Sequence, residues 1–488
     1  MEAGGRLGPQ PLALTAEGLA GLSARAWLAW SVLIAAGAGV LAANNAQLAL
    51  DLALLVIGVV SVLRWPLPVL LLAILVAPRH SPLIEILLAA SCVVLLPRLV
   101  RAPGKALLLP LAAFLLLVLP GINFNGSRLT DSGFHSVFVI PGLGWEFLTR
   151  PSSELLSWIR VGYGFALALL AATAVRNPRH ARLAFSAALI GAIQPLLSGF
   201  GELFSGTYVS KEGFNSVQGP FDHPNEFGFY LVIVLMLSVV ALFELRNRWL
   251  RLGAGVLAIG ALVMLQHTYT RSAWIGFALA FLVLALFQYR RLIVVAVVAL
   301  AIALLAVPSA VDSVQARFGD LATQNASNAK NSLEWRRGQW ERMTHFGDEK
   351  PLTGQGFGSY QRLTLEEFGF QDGTFSTIVR SPRRGVIGIG FSAHNDYVKL
   401  YVETGIPGVL LWLAAFVGIA ITAISAARVA ELRPWAVAIA ALAAAFALMS
   451  ASDNIQAYAV PLAILFALTG ALAGAARRTA RSSPSPAG

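Results

Sequence analysis

Apolar runs recur along most of the chain, at 27–43, 46–63, 66–77, 83–97, 106–120, 154–174, 182–204, 226–244, 251–268, 272–288, 292–308, 405–427, 433–450 and 455–475. Crossing the hydrocarbon core of a bilayer takes about 20 apolar residues, so this pattern predicts an all-α polytopic membrane protein with about twelve to fourteen transmembrane helices. The run at 66–77 is too short to span alone and reads as a re-entrant candidate. One long polar interval interrupts the series. The predicted layout is an N-terminal segment 1–26, a helical bundle 27–308, a large loop 309–404 with an amphipathic helix, further spanning helices over 405–476 and a basic tail 477–488. Residues 1–26 lack the compact basic start and short apolar core of a signal peptide.

Charge gives this layout a direction. With the N-terminus inside, 19 of the 36 Lys and Arg residues fall in alternate short segments: Arg6 and Arg25; Arg64; Arg98, Arg101 and Lys105; Arg176, Arg179 and Arg182; Arg246, Arg248 and Arg251; Arg290 and Arg291; Arg428 and Arg433; Arg477, Arg478 and Arg481. Positive residues collect on the cytoplasmic side, so both termini are expected there and the large loop outside. Composition agrees: 57% of the 488 residues are hydrophobic, 12% are charged and the mean hydropathy is +0.70. A soluble domain carries about 25% charged residues, so a soluble enzyme, a disordered scaffold and a fibrous repeat are excluded. The formal charge of +11 does not signal nucleic acid, because the ten positive residues of 309–391 are nearly balanced by nine acidic ones. The single cysteine, Cys92, rules out a disulfide framework and reads as a buried structural thiol.

Several polar residues fall where the membrane disfavours them. Arg160 lies inside the run that starts at Glu154, and Arg271 opens the run Ser272–Gln288. A charge at the bilayer centre costs about 2.5–3.5 kcal/mol, less near an interface. Either these arginines snorkel to lipid headgroups, or they face an inner cavity and hold an anion. A pyrophosphate suits the second reading, because a planar guanidinium bonds two phosphate oxygens at once. A second outer cluster, Gly219-Pro-Phe-Asp-His-Pro-Asn-Glu-Phe-Gly228, opens the next helix; Asp222 or Asn225 would cap it, and His223 is either a chemical group or an ordinary loop histidine.

In the large loop, Asn331–His345 has an apolar face with Trp340 and Met343, which suits a helix in the membrane interface or one packed outside it. Pro351-Leu-Thr-Gly-Gln-Gly-Phe-Gly-Ser-Tyr360 is a glycine-rich turn without the strand–helix context of a dinucleotide site. At the loop's end, His394 and Asn395 precede a helical stretch that enters the membrane near Gly405. A neutral imidazole there either takes a proton from a sugar hydroxyl or caps the helix. The sequence shows no Asp-x-Asp or Glu-x-Asp pair and no metal-ligand spacing of His, Cys and carboxylates. Arg would then have to neutralise any phosphate leaving group.

These pieces resemble a known family. His394-Asn-Asp-Tyr-Val-Lys-Leu-Tyr-Val-Glu-Thr-Gly-Ile-Pro-Gly408 is similar to the hallmark of the O-antigen ligase-related family of bacterial membrane glycosyltransferases. Gly219–Asn225 resembles its mid-chain loop, and Thr270-Arg-Ser-Ala-Trp-Ile-Gly276 its arginine-bearing helix start. Arg336-Arg-Gly-Gln-Trp340 with Pro351–Gly358 resembles its loop segment. The resemblance covers about 219–410 closely and the rest by helix layout. It implies a GT-C-type architecture in the bacterial inner membrane and a metal-independent, inverting transferase without a cofactor. Such enzymes move a glycan from undecaprenyl pyrophosphate to a glycan, lipid A-core or protein hydroxyl, as ligase, polymerase or protein O-oligosaccharyltransferase. Membrane lipids and other polysaccharide-assembly proteins are the implied partners. By the same resemblance Arg271 and Arg336 match pyrophosphate-binding arginines, with Arg337 beside Arg336 and Arg160 matching an earlier helix arginine. His394 matches the histidine proposed to activate the acceptor; His223, Asn225 and Asn395 are, apart from the resemblance, candidates for supporting roles. The acceptor surface is expected on 121–153 and 360–391. A transporter or flippase of lipid-linked sugars explains the helices and arginines equally well; paired broken helices in inverted repeats would favour it, and none is evident. A structural anchor for polysaccharide assembly leaves the arginine placement unexplained.

Overall fold

The computed structural model describes residues 46–79, 82–121, 153–211, 214–294, 297, 333–368, 376–380 and 387–482. The run 27–43, most of 292–308, the loop interval 122–152 and residues 309–332 lie outside it. Of two compact units, the one ending at Ile57 contains among the described residues only the first part of the first helix; the other contains the rest.

The chain is an all-α polytopic membrane protein. Its helices in order are α1 (Ala46–Arg64), α2 (Pro66–Val76), α3 (Pro82–Cys92), α4 (Lys105–Val118), α5 (Ser153–Ala174), α6 (Pro178–Gly191), α7 (Ile193–Ser205), α8 (Pro224–Glu244), α9 (Arg248–His267) and α10 (Arg271–Phe287). They continue with α11 (Leu333–Glu349), α12 (Tyr360–Phe368), α13 (Asp396–Ala426), α14 (Arg433–Ser450) and α15 (Ala459–Ser482). Two short antiparallel hairpins complete the described elements, β1 (Val209–Lys211) with β2 (Phe214–Ser216) and β3 (Ser376–Arg380) with β4 (Ile387–Phe391). Among the described residues seven helices are long and apolar enough to cross a membrane, taking α6 and α7 as one, or eight if α1 and α2 form a single broken span. α4 and α10 are shorter apolar helices.

Proline explains where these helices depart from the apolar runs. The run 182–204 breaks at Ala192, because Pro195 cannot donate to the carbonyl of Gly191 and its ring crowds it. The run 83–97 is α-helical only to Cys92 and continues as a 3-10 turn, Val93–Arg101, since Pro97 stands in the same relation to Val93. α2, the re-entrant candidate, is 11 residues long and starts with Pro66 after a break at Trp65.

α15 and α8 form the centre of the bundle, 94% and 83% buried along their spanning windows, whereas α9 is only 22% buried. The outward face of α9, with Leu252, Val256 and Ile259 exposed, is apolar and suited to lipid. α15 packs closely along α5: a methyl group on Gly470 would lie 2.3 Å from the carbonyl oxygen of Ala168, so only glycine allows the approach. The two ends of the bundle differ. At one, Arg182 pairs with Glu431 and Arg477 donates to the Arg101 carbonyl. At the other, Asn225 meets Asp453, and Arg160 meets the 3-10 turn Ile455–Ala457.

A second, smaller core caps the polar end. Met343, Tyr360, Leu363, Ala393 and Val402 pack together, and Trp340 Nε1 donates to the Ala393 carbonyl at 2.6 Å. This settles the position of α11: it packs on α12 and α13 through Gln339, Met343 and Gly347.

Candidate active site

α13 begins one residue after Asn395, whose Oδ1 accepts the N–H groups of Tyr397 (3.0 Å) and Val398 (3.2 Å). The capping role therefore belongs to Asn395, and the helix start makes no such demand on His394. His394 has a φ of 47°. A left-handed backbone at a non-glycine residue costs about 1–2 kcal/mol and marks positions that the surroundings over-determine. Among the described residues the other such position is Tyr269, just before Thr270 and Arg271.

His394 Nδ1 lies 3.6 Å from Asp453 Oδ1, with the two side chains 16% and 4% exposed. Asp453 belongs to the turn between α14 and α15. Its Oδ2 accepts from Asn225 Nδ2 at 2.6 Å, and Tyr458 O–H lies 3.5 Å from its Oδ1. Burial pushes the Asp453 carboxyl up, but the His394 imidazole, the Asn454 N–H and, least, the nearby His223 ring outweigh it and hold it at about 2. Asp453 is thus an ionised carboxylate in a buried place, held by its neighbours. Burial, then the charges of Asp453 and Glu226, raise the Tyr458 hydroxyl well above the usual tyrosine range, so it stays protonated.

The same turn gathers arginines. Arg160 Nη1 donates to the Ala457 carbonyl at 2.8 Å, and Arg336 Nη1 lies 3.5 Å from that of Ser452. Arg337 points elsewhere, 77% exposed and paired with Glu341 at 3.2 Å. Arg271 opens α10 directly after Thr270, whose Oγ1 donates to Asn225 Oδ1 at 3.0 Å. Asn454 Nδ2 reaches Ser392, two residues before His394.

A buried polar chain fixes the turn to α13. Both oxygens of Asp396, which is fully buried, accept the Gln456 N–H at 3.1 and 3.3 Å. Lys399 Nζ donates to Gln456 Oε1 at 3.2 Å and lies 3.9 Å from Glu403. Glu403 Oε1 accepts the Tyr360 N–H at 3.1 Å, which ties in the glycine-rich segment. That segment docks where α13 kinks at Gly405 (φ 68°), with Ile406 N–H donating to the Pro351 carbonyl at 2.8 Å. Gly354 (φ 64°) lies so close that a methyl there would sit 2.3 Å from the Glu403 backbone.

The structure thus brings His394, Asn395, Arg160, Arg336, Asn225 and His223 to one end of the bundle, with Arg271 beside them, and leaves Arg337 on the surface. The sequence reading of the α8 cap is corrected. His223 caps the helix by accepting the Asn225 N–H on Nδ1 at 3.1 Å, and Asn225 turns its side chain to Asp453 and Thr270. Asp453 was not singled out, although Asp453-Asn-Ile-Gln456 is a polar interruption between two apolar runs on the outer side. Among the described residues no group of three or more His, Cys, Asp or Glu forms a metal-ligand set.

Fold and site define a polytopic helical membrane protein with a histidine–carboxylate pair and arginines at one end of its bundle. Residues 256–413 match the family model described as O-antigen ligase, which supports an O-antigen ligase-related family. The matched segment contains Arg271, Arg336 and His394; Arg160, His223, Asn225 and Asp453 join them only in three dimensions. No curated protein matches the chain. The match supports a membrane glycan-transfer function of O-antigen ligase or polymerase type.

Proposed function

We propose that the protein transfers a glycan from undecaprenyl pyrophosphate to an acceptor hydroxyl on the outer face of the bacterial inner membrane, with both termini in the cytoplasm. The observation that carries this reading is the turn 451–458, which meets His394 through Asp453, Arg336 through Ser452 and Arg160 through Ala457. Glycosyl transfer from a pyrophosphate needs a base for the acceptor and positive charge for the departing group. Both lie against one short segment.

In this mechanism the Asp453 carboxylate, 3.6 Å from Nδ1 of His394, favours a proton on that nitrogen and leaves Nε2 bare as the base. Nε2 takes the acceptor proton as the acceptor oxygen attacks the anomeric carbon, and Asp453 stabilises the imidazolium that forms. The bond from that carbon to the phosphate oxygen breaks, and its electron pair leaves with the pyrophosphate. Arg271, Arg336 and Arg160 neutralise that charge without a metal ion. One displacement with base and leaving group on opposite faces inverts the anomeric centre. An open apolar groove of about 260 Å³, lined by Thr344, Tyr397, Tyr401, Ile406 and Leu410, runs between α11 and α13 and suits the hydrocarbon of the donor.

The test is transfer in detergent, with no membrane separating two compartments. The protein mixed with a lipid-pyrophosphate-linked glycan and acceptor should form product, and the Arg271→Ala variant should not. A flippase forms none in either case. Glycan electrophoresis after loss of the protein separates the subtypes: retained lipid-linked polymer with no attached chains means ligase, and single repeats in place of ladders mean polymerase.

A further inference from the structure

The two histidines at this site face opposite demands. His394 Nδ1 faces the Asp453 carboxylate, which calls for a proton on Nδ1. His223 Nδ1 accepts the backbone N–H of Asn225, and a ring nitrogen that accepts such a bond carries no proton. A proton there would point at the Asn225 N–H, so the cap selects the neutral tautomer with its proton on Nε2. His223 is not remote from the chemistry. Its ring stacks beside Tyr458 with centroids 6.2 Å apart, Tyr458 lies against Asp453, and Asn225, two residues on, bonds Asp453 directly. The cap of α8 therefore holds a second imidazole next to the carboxylate that orients the first.

We propose that His223 is a further catalytic residue: a neutral hydrogen-bond donor whose Nε2–H meets the pyrophosphate oxygen as negative charge develops on it. This rests on the transfer reading above. The bonds made and broken are the same, the acceptor proton still goes to His394 Nε2, and His223 keeps its own proton throughout. The pair would then divide the work by tautomer, one ring accepting a proton and the other donating a hydrogen bond.

Two substitutions separate this from a capping role alone. His223→Asn retains an oxygen near the position of Nδ1 and caps helices well, but has nothing at Nε2. His223→Gln reaches the Nε2 position with an amide N–H and gives up the short-range cap. The catalytic role predicts that His223→Asn melts like the wild type and binds the lipid-linked donor with similar Kd. Its kcat should nevertheless fall about 10²-fold or more, the usual cost of removing one oxyanion donor. His223→Gln should melt lower yet keep the higher kcat of the two. The reverse order, with His223→Asn fully active and His223→Gln impaired, overturns the proposal and leaves a cap. Absence of transfer by the wild-type protein in the same assay overturns the parent reading, and this one with it.

Discussion

Replacing Asp453 by Asn removes the charge that faces His394 while preserving size and one acceptor oxygen. At the observed 3.6 Å, and with an effective dielectric of about 20, a unit charge pair is worth about 4.6 kcal/mol. That attraction is called on when His394 takes the acceptor proton and becomes cationic. The amide returns part of it as a dipole, so the loss in the transition state should be roughly 3–4 kcal/mol, or two to three decades in rate at about 1.36 kcal/mol per decade. Donor binding should change little, because Asp453 carries the wrong charge to hold a pyrophosphate. The assay is single-turnover transfer in detergent at saturating donor. A variant that melts like the wild type and retains a rate within threefold would refute the reasoning.

Other consequences follow from the same geometry. Arg336→Ala should weaken donor binding or transfer by tenfold or more, whereas Arg337→Ala, exposed and paired with Glu341 within α11, should stay near the wild type in the same assay. Gly354→Ala should lower the melting temperature in detergent, since it combines a φ of 64° with a methyl 2.3 Å from the Glu403 backbone; the left-handed conformation alone costs about 1–2 kcal/mol. Asp453 has a carboxyl held below its ordinary 3.8, so the stability it contributes is present above that value and is lost as pH falls through about 2. Acid melts of the wild type and Asp453→Asn should therefore converge at the lowest pH and diverge above about pH 4.

Much of the bundle was legible because hydrocarbon demands long apolar runs and leaves little freedom. The run 433–450 is the helix Arg433–Ser450, and 226–244 differs from Pro224–Glu244 by two residues at its start. Breaks inside apolar runs were legible only in hindsight. Pro195 and Pro97 look tolerable in an apolar stretch, and their effect falls on the carbonyl four residues back. The site was legible where one local segment carries the signal, as at His394 and Arg336. Asp453 is 59 positions beyond His394, and nothing local records that the turn between α14 and α15 folds onto the start of α13. The α8 cap shows a similar limit: Asp222, His223 and Asn225 are all plausible by type, and backbone direction decides which side chain reaches the free N–H.

The central claim is that His394 removes the acceptor proton at a site whose donor is held by other residues. It is tested most directly by measuring donor binding and transfer rate on one preparation of the His394→Ala variant. The account predicts a Kd within a fewfold of the wild type and a rate lower by about 10²–10⁴-fold, the span attributed to general base catalysis. A His394→Ala protein that transfers glycan at near the wild-type rate would contradict it.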